Sequence, residues 1–236
     1  MRYKLLMAAM IFASGAVNAE TFISNSGDEF MATDVAMAGD AKATLHRETG
    51  IEWLDLTETR NYSINQIESL LASDTPNAFT GWRLALNSEV ETMMAAFFSG
   101  YAYDGTQSTV REHEATNPMY DFADLFGDGS RSVNYTLGKY IDENDSVALA
   151  GSYVNSSVYS LLYGTEYNAA GYSRSSTPYG VFLVSDGGVT LSSINDPTLN
   201  ARNPNSPSAA NVSVSGVSML GLMCLGAGAW ARRRKA

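Results

Sequence analysis

One continuous block of the chain, Gly50 to Phe98, combines strand patterns and helix patterns and so constrains the fold class most strongly. Ile51 to Leu56 is a short, largely apolar run that contains a tryptophan, which favours a buried strand over a helix. Ser63 and Gln66 have the spacing of a capping box, and Pro76 cannot continue the helix that this box begins. The first half of the block therefore predicts a strand followed by a capped helix.

The second half of the block repeats this pattern. Gly81 to Leu86 predicts a short strand, and Ser88 with Glu91 predicts a second capping box. Five apolar residues then share one helical face that we expect to be core, at Val90, Met93, Met94, Phe97 and Phe98. Arg83 is expected to pair inside the fold with Asp55 or Glu89. The block as a whole predicts an α+β domain with two helices.

Two motifs in this block resemble known bacterial proteins. The run T-G-I-E-W-L-D-L-T-E-T from Thr49 resembles a module of exported proteins that carry an exosortase-type C-terminal signal. The run G-W-R-L-A from Gly81 resembles the D-W-R-L-P-T signature of the lectin-like C-terminal domain of bacterial collagen-like adhesins, with Ala85 and Leu86 replacing Pro-Thr. Tyr179 to Val184 resembles the closing strand of both. The resemblance implies a single C-type-lectin-like domain with a mixed or antiparallel sheet, and it transfers no catalytic residue.

The remaining pattern predicts further elements around this block. An early strand is expected near Thr21 to Ser24 within a loosely held lead-in of residues 20 to 44, and a long loop region with a short helix is expected over residues 99 to 131. Four more strands are predicted, at Ser132 to Leu137, Ser146 to Val154, Tyr159 to Tyr163 and Gly180 to Val184.

The chain begins with the pattern of a secretory signal peptide, residues 1–19. Arg2 and Lys4 precede an apolar run from Leu5 to Ala13 that is too short to span a bilayer, and Val17-Asn18-Ala19 matches a cleavage site. We therefore expect residues 20–191 to form an exported domain.

The end of the chain has three parts. Residues 192–211 are rich in asparagine, serine and proline and predict a flexible linker. Residues 212–236 contain an apolar stretch from Val212 to Ala231 that reaches roughly 30 Å as a helix, enough to span a bilayer, and a basic end that favours the cytoplasm.

This tail resembles a PEP-CTERM sorting signal, in which a short motif, one membrane helix and a basic end direct cleavage by an exosortase. Here Val-Ser-Val-Ser-Gly stands where that family has Pro-Glu-Pro, so a related sorting protease or a permanent anchor are the alternatives. The residues expected to act in sorting are Val212, Ser213, Val214, Ser215, Gly216, Arg232, Arg233, Arg234 and Lys235.

Charge and cysteine content restrict the possible partners. Between the terminal segments lie all 25 acidic residues but only nine of the 15 basic ones, a net charge of −16. Such a body repels nucleic acid and anionic lipid. The only cysteine is Cys224, within the apolar tail, so no disulfide is expected in the exported body.

A search for catalytic and metal-binding motifs predicts none. His46 and His113 are the only histidines and there is no cysteine pair, so a zinc site is not expected. Asp121, Asp124 and Asp128 lack the spacing of a calcium loop, and there is no G-x-S-x-G motif. We therefore predict no cofactor, no metal and no enzymatic activity.

Tyrosines are abundant in the second half of the chain among serine, asparagine and aspartate. Their flat apolar faces and polar rims suit sugar rings. The binding residues that this composition suggests are Tyr101, Tyr103, Asp104, Tyr120 and Tyr172.

These observations predict an exported, non-enzymatic protein, and the resemblance implies that it reaches the cell surface or extracellular matrix, alongside exopolysaccharide. Its expected partners are the inner membrane in transit and an exosortase-like processing protease. The alternatives are a carbohydrate-binding or adhesin module and a secreted hydrolase of unidentified type.

Overall fold

Two β-sheets enclose a pair of helices in the computed structural model, which describes residues 19–100, 108–110, 118–127, 133–155, 159–166 and 178–209. The first sheet has six strands, all paired antiparallel, in the spatial order β1 (Thr21–Ile23), β2 (Glu29–Thr33), β3 (Ala43–His46), β4 (Ile51–Leu54), β11 (Leu183–Ser185) and β5 (Arg83–Leu84).

The second sheet is mixed. Its five strands are ordered β10 (Tyr179–Val181), β7 (Val133–Ile141), β8 (Val147–Asn155), β9 (Tyr159–Glu166) and β6 (Ser108–Val110). The β10–β7 pair is parallel and the other pairs are antiparallel. The predicted α+β class with mixed and antiparallel sheets is therefore confirmed, as are the strands predicted in this part of the chain.

The described residues contain four α-helices, so the predicted number of two was wrong. They are α1 (Ile64–Leu71), α2 (Asn87–Phe97), α3 (Pro118–Phe126) and α4 (Leu191–Asn195), and two 3-10 helices lie at Leu56–Thr59 and Pro197–Asn200. The predicted short helix in the loop region corresponds to α3. Among the described residues, none of these helices has the length and apolar character needed to cross a membrane.

Helix α1 begins as its sequence predicts. The Ser63 hydroxyl accepts a hydrogen bond from the Gln66 backbone N–H (3.2 Å), and the Gln66 side-chain oxygen accepts one from the Ser63 N–H (2.8 Å). Helix α2 begins earlier than predicted, because Glu89 rather than Glu91 accepts from the backbone N–H of the residue before the helix, Leu86 (2.8 Å). The predicted box of Ser88 with Glu91 was therefore wrong.

The core lies between the two sheets, where α2 and α3 pack against both. All five residues of the predicted apolar face of α2 are at most 1% exposed. Phe97 contacts Phe30 of β2 with ring centroids 4.7 Å apart, and it contacts Phe122 of α3 at 5.2 Å. On the other side of these helices the core continues into Ala148 and Ala150 of β8. The apolar face of α2 therefore joins one sheet to the other.

Two segments that the sequence predicts to be loose are folded. The lead-in contributes β2 and β3, and Phe30 within it is 0% exposed. The predicted linker contributes α4 and the second 3-10 helix, and its side chains at Asn200, Asn203 and Ser206 are buried. The linker prediction is therefore corrected for residues 192–209. The lead-in is ordered by backbone pairing of its strands and by Phe30 in the core. The C-terminal segment is ordered by side-chain hydrogen bonds to β4 and the turn before it, from Thr190 to Glu52 and from Asn200 to Gly50.

The predicted closing strand is divided between the sheets. Tyr179–Val181 pairs with β7 of the second sheet, and Leu183–Ser185 pairs with β4 and β5 of the first. Phe182 lies between these two runs, 1% exposed, with its ring against Gly138 and 5.7 Å from that of Trp53. A Cβ at position 138 would overlap the Phe182 ring. This seven-residue run thus ties the two sheets together.

Asp55 follows β4 and begins the first 3-10 helix. Its Oδ1 accepts hydrogen bonds from the Thr57 backbone N–H and the Thr57 hydroxyl, each 2.7 Å long. Burial outweighs these bonds and raises the pKa of Asp55 to about 6. Asp55 therefore caps a helix, and the alternative pairing predicted for it, with Arg83, was wrong.

The raised pKa of Asp55 predicts a pH dependence of stability. The folded protein holds this proton more tightly than the unfolded chain, so the contribution is complete below about pH 4 and is lost as pH rises through about 6. Asp55→Asn keeps an acceptor for Thr57 but cannot ionise. The decrease of about 2–3 kcal/mol in the free energy of unfolding that the parent shows as pH rises should therefore be absent from this variant. Urea unfolding at pH 4.5 and 7.5 measures this. Asp74→Asn, at an exposed position, is the matched control; equal profiles for both variants would contradict the assignment.

Candidate functional site

A group of three tyrosines, the tyrosine platform, lies on the second sheet, with Tyr135 exposed and Tyr153 and Tyr179 partly buried. Tyr135 of β7 and Tyr153 of β8 are directly opposite in the antiparallel register, and their rings stack with centroids 4.4 Å apart and planes 27° apart. Tyr179 of β10 meets Tyr135 edge-on at 6.5 Å. Tyr135 is 39% exposed. Stacked aromatic faces open to solvent are the arrangement on which sugar rings pack.

Strand alternation explains why these side chains face outward. Thr136 and Tyr140 of β7 are buried, and Tyr140 belongs to the core around α2 and α3, so Tyr135 projects from the opposite face. Farther along that face Lys139 is buried, where its Nζ donates a 2.6 Å hydrogen bond to the Tyr62 carbonyl and where burial lowers its pKa to about 8. The loop at Tyr62 therefore covers this face of the sheet at Lys139 and leaves it open at Tyr135.

The predicted binding residues fall largely elsewhere. Tyr120 lies on α3, half-buried against the core, and its role in binding stays a prediction. The remaining binding and sorting residues lie outside the described residues, as do the signal peptide and the apolar tail: Tyr101, Tyr103, Asp104, Tyr172, Val212, Ser213, Val214, Ser215, Gly216, Arg232, Arg233, Arg234 and Lys235. Sequence reasoning missed Tyr135. The sequence pattern that could have indicated Tyr135 is its position relative to Tyr153: the two tyrosines lie at similar distances on either side of the turn between two consecutive predicted strands.

A second polar cluster surrounds the turn between β3 and β4. His46 ends β3 and is 2% exposed, with its ring stacked on Phe30 at 4.4 Å. The His46 Nε2 lies 3.5 Å from Asp28 Oδ1 and 3.6 Å from Glu48 Oε2. Burial lowers the pKa of His46 and outweighs the opposing effect of the two carboxylates. The fold thus brings together three side chains whose separation in sequence does not suggest a site.

The same turn is held by a buried carboxyl group. Glu52 is 0% exposed, and its Oε1 accepts a 2.5 Å hydrogen bond from the Thr190 hydroxyl. Burial raises the pKa of Glu52. Its Oε2 and the side-chain oxygen of Asn200 are buried without a hydrogen-bond partner. This group therefore fastens the C-terminal segment to β4, which is a structural role.

A small cavity of about 160 Å³ adjoins this turn. It is lined by residues of β3, β4 and α2, namely His46, Thr49, Ile51, Trp53, Ser88, Glu89 and Thr92. Ligand pockets for small molecules usually exceed about 300 Å³, so this cavity suits no more than a small polar group. The indole N–H of Trp53 is buried without a hydrogen-bond partner.

Comparison of the chain with protein-family models, curated proteins and solved structures finds no match.

Proposed function

We propose that this chain is an exported, non-enzymatic protein of the cell surface or extracellular matrix that is processed at a PEP-CTERM-like sorting signal. The observation that carries the proposal is the arrangement of the sequence: a signal peptide, an acidic body without cysteine, and an apolar tail with four consecutive basic residues. The described fold supports it, since the first strand begins at Thr21, two residues beyond the predicted cleavage site. The described part of the body is held together by core packing, hydrogen bonds and ion pairs such as that of Arg83 with Glu89.

Mass spectrometry of the protein from culture medium and from membranes of the producing cells tests this proposal. We expect an N-terminus at Glu20 and loss of the apolar tail from the released form. Replacing Arg232, Arg233, Arg234 and Lys235 with serine should cause the unprocessed form to accumulate. Released protein that still ends at Ala236, or mature protein that stays in the membrane with its tail intact, would overturn sorting.

The body, in this proposal, has C-type-lectin-like character. Its α+β class, the long segment between α2 and β7, and the run from Tyr179 to Ser185 that closes both sheets support this. An experimental structure whose strand order departs from that of lectin-like domains would contradict it.

A second candidate function, carbohydrate binding, is favoured by the tyrosine platform. Tyr135 and Tyr153 offer stacked rings on a chain whose net charge is negative, which disfavours anionic partners. The ligand class would be a neutral polysaccharide, which agrees with a matrix location. Each aromatic pair contributes roughly 0.5–1.5 kcal/mol beyond its buried area.

Alanine at Tyr135 should therefore weaken binding to a neutral exopolysaccharide by about tenfold. Affinity electrophoresis through gels that contain the purified polysaccharide measures the effect. Leu86→Ala is a suitable control, because Leu86 is 60% exposed at the start of α2 in another part of the fold. Equal retardation of Tyr135→Ala, Leu86→Ala and the parent protein would exclude the platform as the binding surface.

A further inference from the structure

Asp28, His46 and Glu48 converge at one end of the first sheet. Strands β2 and β3 pair antiparallel with Phe30 opposite His46, so the residue before β2 and the turn after β3 lie at the same end of the two strands. One nitrogen of His46 and one oxygen from each carboxylate all lie within 4.8 Å of one another. Among the described residues, these are the three histidine, cysteine or acidic side chains that lie close enough together to share one metal ion.

The His46 Nε2 points at the two carboxylates without bonding to either. The distances of 3.5 Å and 3.6 Å are longer than a hydrogen bond of good geometry, and this nitrogen is buried without a hydrogen-bond partner. Buried polar atoms in folded proteins are nearly always satisfied by protein, water or an ion. A buried ring nitrogen that faces two carboxylates without a hydrogen bond of good geometry is therefore suited to ligate a cation.

The other ring nitrogen explains which form of the imidazole is present. The Thr49 hydroxyl donates to the His46 carbonyl (3.3 Å) and accepts from the Ile51 N–H (3.3 Å). We assign the tautomer in which Nδ1 carries the proton: Nδ1–H donates to Thr49 Oγ1, 3.2 Å away, while the Thr49 hydroxyl donates to the His46 carbonyl. Nε2 of the neutral ring then presents a lone pair toward Asp28 and Glu48. A histidine fixed in this way by an outer hydrogen bond is the usual form of a metal ligand.

Two of the distances within this group are compatible with coordination of one shared ion. Bonds of about 2.0–2.1 Å to zinc in a tetrahedral arrangement place neighbouring ligand atoms about 3.4 Å apart. The two nitrogen-to-oxygen distances, 3.5 Å and 3.6 Å, agree with this value. One imidazole and two carboxylates also form a mixed ligand set of the kind that zinc accepts and that calcium and magnesium, which prefer oxygen, do not.

We propose that Asp28, His46 and Glu48 bind a divalent transition-metal ion, for which Zn²⁺ is the best match, through Oδ1, Nε2 and Oε2. The carboxylates are already oriented, since Glu48 Oε2 accepts from the Glu29 N–H (2.9 Å) and Asp28 Oδ2 accepts from the Ser26 hydroxyl. Asp28 is 23% exposed and Glu48 is 35% exposed, so an ion can enter from solvent. Water or a ligand oxygen completes the fourth position.

The ion would fasten the β1–β2 hairpin to the turn that follows β3. This role is independent of the export and sugar-binding proposals, and the experiment needs neither of them.

Untagged full-length chain, purified in detergent and treated with a chelator, should bind one Zn²⁺ in isothermal titration calorimetry. Co²⁺ at the same site should show the intense visible absorption of tetrahedral rather than octahedral cobalt. Asp28→Asn and Glu48→Gln should each weaken zinc binding by about tenfold or more. Glu68→Gln on α1 and His113→Gln, which changes the other histidine, are the matched controls and should bind as the parent does.

Both carboxylate variants keep the shape of the side chain at partly exposed positions, so they test the site without the risk of unfolding that His46→Gln carries. The proposal is overturned if no saturable zinc binding occurs, if either carboxylate variant binds as tightly as the parent, or if His113→Gln abolishes binding. Weakly absorbing, octahedral Co²⁺ would also overturn it.

Discussion

Alanine at position 182 should lower the free energy of unfolding by about 3–5 kcal/mol. Phe182 is 1% exposed and lies where the chain passes from the second sheet to the first, with its ring against Gly138 of β7 and edge-on to Trp53 of β4. Its removal leaves a cavity bordered by both sheets. Neither sheet can close that cavity without moving the other, so little relaxation is expected.

Urea unfolding followed by tryptophan fluorescence measures this loss, and Trp53 in contact with the site makes the signal local. Phe182→Leu should cost less than the alanine variant, since it keeps most of the apolar volume. Gly138→Ala probes the same contact from the other side, because the added Cβ would overlap the ring. Ile194→Ala, at a residue that is 59% exposed, is the control. A loss below about 1 kcal/mol for Phe182→Ala would contradict the role of this residue in joining the sheets.

Replacing Arg83 with methionine should cost about 3–4 kcal/mol, because two largely buried carboxylates lose their counter-ion. The Arg83 guanidinium donates to both oxygens of Glu89 (2.8 and 2.6 Å) and to both oxygens of Asp186 (3.0 and 2.9 Å). The Glu89 and Asp186 side chains are only 13% and 24% exposed. Arg83 holds the pKa of Asp186 below its usual range and its own pKa is raised in turn.

Thermal and urea unfolding at neutral pH check this prediction. Arg83→Lys keeps the charge but not the two bidentate contacts that the planar guanidinium makes. Its free energy of unfolding should therefore fall less than that of the methionine variant. Arg47→Met is the matched control: Arg47 is 46% exposed with one 3.6 Å ion pair to Glu29, and exposed pairs contribute at most about 1 kcal/mol. Equal stability of Arg83→Met and Arg47→Met would show that the network adds nothing beyond a surface pair.

The elements that sequence patterns predicted well are those with strong local signals. The capping box at Ser63 and the apolar face of α2 depend on residues three or four positions apart, and both are confirmed. The pairing of Arg83 with Glu89, six residues away across the junction of β5 and α2, is also confirmed. The start of α2 was misplaced by the competing acid at Glu91, since either spacing is acceptable locally and only the packed helix selects Glu89.

The residues of the tyrosine platform and of the His46 cluster meet through contacts that no local sequence pattern predicts. Tyr135 meets Tyr153 only through the register of β7 and β8, and His46 meets Asp28 only because β2 lies beside β3. The segment after Thr190 was predicted to be a linker because its composition is polar. Its order comes from Glu52 and from Gly50, whose carbonyl accepts a 2.8 Å hydrogen bond from Asn200, 150 residues away.

The amino-acid sequence by itself determined the α+β class, the helix faces, most strands and the acidic character of the body, because these follow from periodicity and composition over short stretches. Only the tertiary structure decided which side chains meet: the division of the closing strand between two sheets, the platform at Tyr135 and the cluster at His46. The physical reason is that strand order and register are set by burial of the whole core. This burial brings distant residues into contact, and no pattern in the sequence around them predicts the contact.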